Sequence, residues 1–302
     1  MRPAARHPEI NANGKVGLIA VRAAAEPIQD GEIGVGLVRD AFVAPSPASA
    51  MTVPGGPMPK ITATAALVKD STGGPLFLVR GPDLRWPIAS LTKLLTALVA
   101  REAFEETQII TLTEAMLAVE GIAGNFAGGE QYSVADLMKA MLVVSSNDAA
   151  EAIRTAYDAA YGPGALVDQM NNLAQRLGMF NASFADATGL SILNQATVRD
   201  LAILVEYILE TNPDIFAITS KKEVVIREIS SGKKRPLLNI NPFADETRFV
   251  GGKTGFTDDA GGNLISIFAY RDHDIIVITL GSADQEKRFL DTELLYAWLT
   301  QT

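Results

Sequence analysis

The segment Trp86-Pro87-Ile88-Ala89-Ser90-Leu91-Thr92-Lys93-Leu94-Leu95 marks the point where a strand-like pattern gives way to a helical one. Upstream, residues 62–68 and 76–79 are largely apolar and flank the turn-forming run 70–74, which is typical of a β-hairpin. Downstream, apolar residues recur at the spacing of one helix face, at Leu91, Leu94, Leu95, Leu98 and Val99. The chain therefore passes from a β-sheet into a long helix, with Ser90 at the junction.

The rest of the chain divides into a helical middle and a strand-rich end. Helical periodicity covers 133–143, 148–160, 164–178 and 197–210. Strand-like patterns return at 247–256, 263–270 and 275–281, with Asp272-His273-Asp274 as the expected turn, and a last helix follows over 285–299. This order predicts an α+β fold in which N- and C-terminal strands share one antiparallel sheet, flanked by the helical middle region.

The first 58 residues look different from the rest. They contain the linker-like runs Pro45-Ser46-Pro47-Ala48-Ser49-Ala50 and Pro54-Gly55-Gly56-Pro57. Two β-like pieces, 15–22 and 33–43, favour a hairpin or a small accessory element. We therefore expect a linker-like N-terminal extension over 1–58, with a small β element, and one catalytic domain over 59–302.

Composition excludes several kinds of chemistry. The 302 residues include no cysteine, which removes disulfides, thiolate metal sites and a cysteine nucleophile. Only two histidines occur, His7 and His273. We interpret both as solvated, so neither a histidine-based triad nor a multi-histidine zinc site is expected. The net charge of -9 argues against a nucleic-acid partner. The chemistry must rest on hydroxyls, lysines and carboxylates, with no metal and no cofactor.

Ser90 and Lys93 form a Ser-x-x-Lys motif at the start of the strongly apolar helix. Three-residue spacing places both side chains on one helix face, where a buried lysine that has lost its charge can take the serine proton. The same short pattern begins at Ser230 and at Ser231, in a polar run that we interpret as a solvated loop. The apolar helix therefore makes Ser90 the candidate nucleophile and Lys93 its base.

A second motif, Ser145-Ser146-Asn147, lies between two predicted helices. A serine hydroxyl at this place can relay a proton, and an asparagine amide can hold a substrate amide. The alternative is helix capping, because Ser and Asn are preferred at helix N-termini. Taken alone, the motif favours capping.

The third motif, Lys253-Thr254-Gly255, lies on a predicted strand between Gly251-Gly252 and Phe256. A lysine and a hydroxyl on an edge strand suit a carboxylate, and the glycine lets a substrate backbone approach closely. A phosphate-binding loop ends similarly, but it requires a glycine where Thr247 stands and a helix afterwards. The motif therefore predicts a carboxylate site.

In this order, the three motifs resemble the signature of penicillin-binding proteins and serine β-lactamases. Residues 87–97, 145–150, 253–257 and 260–264 are all similar to the low-molecular-mass D-alanyl-D-alanine carboxypeptidases, and the resemblance covers 60–302. It implies a β-lactamase/transpeptidase-like fold. It also implies a serine carboxypeptidase that removes the terminal D-Ala from peptidoglycan stem peptides.

The resemblance implies a chemical role for each of four residues. Ser90 would be the acylated nucleophile, with Lys93 as its base. Ser145 would shuttle the proton, and Asn147 would bind the substrate amide. Each of these positions matches the family motif, so the catalytic set is complete in this chain.

The resemblance also implies a substrate-binding set. Lys253 and Thr254 would hold the terminal carboxylate of D-Ala-D-Ala, with Gly255 beside them. Backbone N–H groups of Phe256 and of the nucleophile would form the oxyanion hole. Arg288 looks aligned with a family arginine that supports carboxylate binding. The alternative for Arg288 is a solvated residue on the last helix.

Three alternative functions stay open. A β-lactamase of the commonest type uses a glutamate after the Ser-x-Asn motif, whereas no glutamate occurs between Glu151 and Glu206. A D,D-endopeptidase that cuts peptidoglycan crosslinks shares the same residues. A non-catalytic wall-binding module would have no need of both a nucleophile and a base, so the intact set argues against it.

The implied partners are a stem peptide ending in D-Ala-D-Ala and β-lactams as covalent inhibitors, with no nucleic acid. Such a protein would work outside the cytoplasm, facing the periplasm or the cell wall. No apolar run has the length of a transmembrane helix, and the longest N-terminal candidate, residues 16–21, stops at Arg22. We therefore expect the export segment and a membrane anchor to be absent from this chain.

Overall fold

The computed structural model describes residues 8–10, 16–18, 56–72, 74–121 and 123–300. The chain divides into two compact units, Met1–Pro47 and Ala48–Thr302. In the first unit, strand β1 (Pro8–Ile10) pairs antiparallel with β2 (Val16–Leu18), which falls within the predicted piece 15–22. The other predicted piece, 33–43, lies outside the described residues. The functional boundary at residue 58 stays a prediction.

The second unit contains both strands and helices. Its strands are β3 (Ala65–Asp70), β4 (Leu76–Arg80), β5 (Trp86–Pro87), β6 (Ile109–Thr111), β7 (Gln131–Ser133), β8 (Gln195–Ala196), β9 (Glu223–Arg227), β10 (Lys234–Leu238), β11 (Phe249–Thr257), β12 (Gly261–Tyr270) and β13 (His273–Ser282). Its helices are α1 (Lys93–Ala103), α2 (Val134–Val143), α3 (Asn147–Tyr161), α4 (Ala165–Leu177), α5 (Val198–Thr211), α6 (Asp214–Thr219) and α7 (Lys287–Thr300). Within the described ranges, none of the helices has the length and apolar character needed to cross a bilayer.

A five-stranded antiparallel sheet, in the order β11-β12-β13-β3-β4, organises this unit. The central pairing joins β13 to β3, with Ile275 opposite Asp70 and Leu280 opposite Ala65. Strands from the two ends of the unit therefore share one sheet, and the predicted α+β fold is confirmed. The β13 residues from Ile275 to Leu280 are all buried, because both faces of the sheet are covered.

Helices cover the sheet on its two faces. On one face, Leu295 and Leu299 of α7 pack with Val68, Leu264 and Phe268. On the other face, sheet side chains join a larger apolar core that includes α1 to α5. The predicted middle helices are confirmed, each within one residue of its expected ends.

Helix α1 lies inside this larger core. Every residue from Lys93 to Ala100 is buried. A helix that is buried on all sides must be apolar all round, which the run from Leu94 to Ala100 nearly satisfies. Lys93 is the exception, because it is a charged residue placed where the helix has no exposed face.

The structure adds short elements that the sequence patterns did not predict. These are α6 and the two-stranded pairs β5–β8, β6–β7 and β9–β10. The helix α6 and the strands β5 to β8 contain too few side chains to show a period, whereas the exposed Val225 and Leu238 break the apolar–polar alternation of β9 and β10. Strand β13 also begins at His273, so Arg271 and Asp272 form the turn, with Arg271 at a φ of 56°.

The interpretation of His273 as a solvated residue is wrong. Its side chain is only 13% exposed, and its Nδ1 lies 2.7 Å from Oδ2 of the buried Asp70. The cause is the sheet, because pairing of β13 with β3 brings the start of one strand to the end of the other. His7 lies outside the described residues.

Candidate active site

Ser90 lies in a single 3-10 turn, Ala89–Thr92, that leads into α1. Ala89 has a φ of 48°, in the left-handed region that residues with a side chain rarely adopt. Gly189 packs against this turn, and a Cβ on it would overlap the carbonyl oxygen of Ala89. Only glycine permits this approach. Packing therefore fixes the backbone that presents Ser90.

Lys93 is fully buried, and its Nζ contacts the candidate nucleophile. The Nζ lies 2.9 Å from Ser90 Oγ, 2.7 Å from Asn147 Oδ1 and 2.5 Å from the carbonyl oxygen of Thr188. Burial lowers the pKa of Lys93 to about 7, and the negative charge of Asp186 opposes that fall. In a large share of the molecules, the Lys93 amine is therefore neutral near neutral pH, as a general base must be.

The three partners of Lys93 also orient its lone pair. The amide oxygen of Asn147 and the carbonyl oxygen of Thr188 can only accept, so they take the two N–H bonds of a neutral amine. The lone pair is then directed at Ser90 Oγ and accepts its hydroxyl proton. When protonated, the lysine donates to the same oxygen. The geometry therefore links loss of charge on Lys93 to activation of Ser90.

The Ser145-Ser146-Asn147 motif contributes to both capping and the site. Ser146 caps α3 by accepting a hydrogen bond from the N–H of Ala149, so the capping alternative is correct for this residue. Ser145 has a φ of 59° and accepts a hydrogen bond from Lys253 Nζ at 2.9 Å. Such strained backbone clusters at functional sites. The structure thus brings Ser145 and Asn147 into the cluster around Lys93 and Lys253.

Lys253 lies on β11, the edge strand of the sheet, and is only 1% exposed. Its Nζ donates to Ser145 Oγ and to the carbonyl oxygen of Thr254, each at 2.9 Å. Burial lowers the pKa of Lys253 well below its usual value, and the positive charges of Lys93 and Arg288 lower it further. No carboxylate among the described residues pairs with Lys253. An anionic ligand would stabilise the charged form of this buried amine, which has no counter-charge among the described residues.

Gly255 brings β11 against the turn that holds Ser90. A Cβ on Gly255 would lie 2.8 Å from the carbonyl oxygen of Ile88 and 3.3 Å from the backbone nitrogen of Ser90. Only glycine allows this approach. The β11 backbone therefore runs beside the Ser90 N–H, as an oxyanion hole built from Ser90 and Phe256 requires.

Arg288 is buried, so the alternative of a solvated arginine is wrong. The residue is 6% exposed, and its Nη1 donates to the carbonyl oxygen of Gly255 at 2.9 Å. Burial lowers its pKa to about 10. Its Nε has no partner among the described residues. Arg288 therefore lies against the same strand as Lys253 and adds a second cation behind Gly255.

An open cleft of about 440 Å³ borders these groups. It is lined by Glu120, Gly121, Asn147, Leu190, Phe256, Thr257, Asp258 and Asp259. Nδ2 of Asn147 donates to the carbonyl oxygen of Glu120 at 2.6 Å. Asn147, which contacts Lys93, and Phe256, which follows Gly255, therefore place the cleft beside the cluster that contains Ser90.

Asp186 belongs to the site but was missed by sequence reasoning. Its carboxylate accepts hydrogen bonds from the N–H groups of Thr188, Gly189 and Ser191. Burial opposes ionisation, but these hydrogen bonds outweigh it, and the pKa of Asp186 is lowered. The turn they stabilise presents the Thr188 carbonyl to Lys93. An Asp two residues before a Thr and three before a Gly is a turn signal that could have found it.

Comparison with known proteins decides the family. A family model described as D-alanyl-D-alanine carboxypeptidase matches residues 51–284. The chain belongs to this family. The matched residues include all three motifs, so the resemblance inferred from these motifs is confirmed.

Curated relatives of this family member carry two kinds of name. D-alanyl-D-alanine carboxypeptidase DacC of Escherichia coli (strain K12) is 30% identical over 253 residues, which cover 80% of this chain and 62% of that protein. D-alanyl-D-alanine endopeptidase of Pseudomonas aeruginosa is 30% identical over 249 residues, which cover 80% of this chain and 78% of that protein. The chain spans 62% of the length of DacC and of DacA from Haemophilus influenzae.

Solved structures show the same architecture. Penicillin-binding protein D2 from Listeria monocytogenes, in its ampicillin-bound form, is 31% identical, with a TM-score of 0.70 over 80% of this chain and 99% of that one. D-alanyl-D-alanine carboxypeptidase from Mycobacterium tuberculosis H37Rv is 23% identical, with a TM-score of 0.74 over 83% and 96% of the two chains. The second similarity supports the fold alone.

Proposed function

We propose that this chain is a serine D-alanyl-D-alanine carboxypeptidase that removes the terminal D-Ala from peptidoglycan stem peptides through an acyl-enzyme at Ser90. The observation that carries the proposal is the buried Lys93, whose Nζ lies 2.9 Å from Ser90 Oγ. Burying a lysine without an adjacent carboxylate costs stability. Activation of the serine explains why a lysine occupies this position despite the loss of folding stability.

In the proposed first step, Lys93 takes the Ser90 hydroxyl proton while Oγ attacks the carbonyl carbon of the penultimate D-Ala. The backbone N–H groups of Ser90 and Phe256 donate to the resulting oxyanion. As the C–N bond breaks, the proton passes from Lys93 through the Ser145 hydroxyl to the leaving amine of the terminal D-Ala. The peptide stays on Ser90 as an ester.

In the proposed second step, water attacks this ester. Lys93 takes a proton from the water, the same two N–H groups hold the oxyanion, and the C–O bond to Ser90 breaks. That proton passes from Lys93 to Ser90 Oγ, and the shortened peptide leaves as a carboxylic acid that gives its remaining proton to solvent and becomes a carboxylate. Each cycle restores the hydroxyl of Ser90 and the neutral amine of Lys93.

The terminal carboxylate of the substrate is proposed to bind the cationic cluster on β11. Lys253 and Thr254 lie on β11, Arg288 of α7 donates to the carbonyl oxygen of Gly255 on the same strand, and Lys253 has no carboxylate partner among the described residues. An incoming carboxylate would restore the charged form of Lys253, whose pKa burial lowers. A pocket that binds a terminal carboxylate requires the substrate chain to end just beyond the cleaved bond. The proposed reaction is therefore that of an exopeptidase.

Amidation of the substrate's C-terminus is expected to lower turnover about ten- to a hundredfold, the value of one charge-assisted contact. The comparison uses D-Ala-D-Ala peptides that differ only in a free-acid or amidated end, with release of the last residue measured by mass spectrometry. Thr254→Val, which removes the hydroxyl at similar volume, should narrow the difference between the two peptides. Equal rates on both peptides would favour the endopeptidase alternative, because a crosslink continues beyond the cleaved bond.

Asp186→Asn is expected to move the pH dependence of penicillin acylation. The charge of Asp186 opposes the fall in the pKa of Lys93, so its loss should let the lysine deprotonate at lower pH. The acylation rate, measured against pH, should then reach half of its maximum at a lower pH. Asp168→Asn, at an exposed position on α4, is the matched control. A midpoint that rises, or that moves equally in both variants, would contradict this role.

The same chemistry makes β-lactams the proposed covalent inhibitors. Attack by Ser90 Oγ on a β-lactam carbonyl opens the ring, and the leaving nitrogen stays tethered to the acyl group, so it continues to occupy the site. The Listeria monocytogenes relative was solved with ampicillin bound. We place the chain outside the cytoplasm, because that is where its proposed peptidoglycan substrate lies.

A further inference from the structure

The β9–β10 hairpin has an outer face that is both apolar and basic. Its register pairs Val225 with Pro236 and Arg227 with Lys234, and directly opposite residues lie on the same face. We define the outer hairpin face as Glu223, Val225, Arg227, Lys234, Pro236 and Leu238. Val225 is 45% exposed and Leu238 is 64% exposed. Exposed aliphatic side chains are unusual on the solvent side of an antiparallel pair, where polar residues are the norm.

The inner face of the same hairpin explains its orientation. Val224, Ile226 and Leu237 are buried in the core, and Arg235 pairs with Glu130. The inner apolar residues therefore hold the hairpin on the domain. The outer side chains are not part of the apolar core formed by the residues that the structure describes.

The hairpin region is cationic in an acidic protein. The whole chain has a net charge of -9, whereas residues 221–240 contain six Lys or Arg and two Glu. Hydrogen bonds from Ser231 lower the pKa of Glu228 to about 2, so both Glu are counted as charged and the segment still has four more positive than negative side chains. Glu223 lies opposite Leu238 on the outer face. The local charge is therefore opposite in sign to that of the protein.

The three cations around the tip of the hairpin have no anionic partner among the residues that the structure describes. Within the described ranges, no ion pair involves Arg227, Lys233 or Lys234, although other cations of this acidic chain are paired. All three are exposed around the tip of the hairpin. Unpaired positive charge beside exposed aliphatic side chains is complementary to a surface that is anionic outside and apolar beneath.

We propose that the outer hairpin face docks on an anionic phospholipid membrane. Arg227, Lys233 and Lys234 contact the headgroups, while Val225 and Leu238 enter the boundary between headgroups and acyl chains. A soluble polyanion would use the cations but would leave both aliphatic side chains in water. The aliphatic residues therefore favour lipid over a polyanion. This inference does not rest on the proposed peptidase activity.

Vesicle sedimentation tests the proposal with the 302-residue chain. We expect the protein to sediment with phosphatidylglycerol-containing vesicles at low salt, to be released by added NaCl, and to stay in solution with pure phosphatidylcholine vesicles. Each cation near an anionic surface contributes about fivefold to binding. Lys234→Gln combined with Leu238→Ser should therefore weaken binding to the anionic vesicles about tenfold or more.

The matched control removes the same two side-chain types elsewhere. Lys287→Gln with Leu290→Ser also deletes one exposed lysine and one exposed leucine, on α7. Its binding should equal that of the unchanged chain, and thermal unfolding should show that both variants fold. Failure of the unchanged chain to bind anionic vesicles, or equal loss in both variants, would overturn the proposal.

A single-residue comparison separates lipid from a soluble polyanion. Leu238→Ser alone should weaken binding to anionic vesicles. Lys234→Gln alone should weaken binding more than Leu238→Ser does, and the binding that remains in Lys234→Gln should depend less on the salt concentration. Binding that depends on Lys234 but not on Leu238 would reject the membrane in favour of a polyanion. Because sedimentation does not use acylation, failure here and failure of the proposed peptidase activity are distinguishable.

Discussion

Ser90→Ala is expected to abolish covalent labelling by a penicillin. The Ser90 hydroxyl is the group toward which Lys93 directs its lone pair, at 2.9 Å, and no acyl-enzyme forms without it. Intact-mass spectrometry should show a single adduct on the unchanged chain, which peptide mapping places on Ser90, and no adduct on the variant. The fold should survive, because removal of one hydroxyl leaves the backbone of the turn unchanged.

Ser231→Ala supplies the matched control for this experiment. Ser231 also precedes a lysine by three residues, but it is exposed beyond β9, and its hydroxyl donates to Glu228. A serine that lacks a buried base should not react, so labelling of this variant should match the unchanged chain. An adduct on Ser230 or Ser231, or labelling that persists in Ser90→Ala, would contradict the assignment. Rapid loss of the Ser90 adduct would instead favour the β-lactamase alternative.

Lys93→Arg is expected to slow acylation by about a hundredfold to ten-thousandfold, the usual contribution of a general base. Arginine keeps the positive charge but does not give up its proton, so it cannot accept the proton of Ser90. Rapid-mixing measurements of penicillin acylation check this expectation. Near-normal rates would show that another group is the base.

A second variant separates chemistry from packing at this buried position. The guanidinium is larger than the amine it replaces and can strain the core, whereas Lys93→Met fills a similar volume and has no amine. Both variants should lose acylation, and thermal unfolding should show that the methionine variant stays folded. Activity in Lys93→Met would contradict the proposed base directly.

The pH dependence of the unchanged chain follows from the same residue. Burial lowers the pKa of Lys93 to about 7. The neutral amine is the base, and it predominates above that pKa, so the acylation rate should rise as the pH increases through about 7. Lys93→Met should lack this rise. A rate that falls over the same interval would show that the protonated lysine is the active form.

Relationships between near neighbours were predictable from the sequence. Ser90 and Lys93 are three residues apart at the start of an apolar helix, and helix geometry alone places them on one face. Ser146 caps α3 for reasons that act within a single turn. Periodicity also predicted the main strands and helices, and hence the shared antiparallel sheet.

Contacts through the backbone were not predictable. The third partner of Lys93 is the carbonyl oxygen of Thr188, which is 95 positions away in the chain. Every residue has such an oxygen, so it gives no signal in the sequence. Arg288 was ambiguous for a related reason, because its burial depends on how α7 packs on β12 and β13. Likewise, His273 was misread because its partner, Asp70, is supplied by a distant strand.

The sequence by itself determined the family and the order of the elements that contain Ser90 and Lys93, the proposed nucleophile and base. Only the tertiary structure decided the charge state of Lys93. That state depends on desolvation, which arises when helices and strands from separate parts of the chain close around the amine. The proposed role of the amine as a base requires that distant segments exclude water from it, and no local pattern of residues encodes that exclusion.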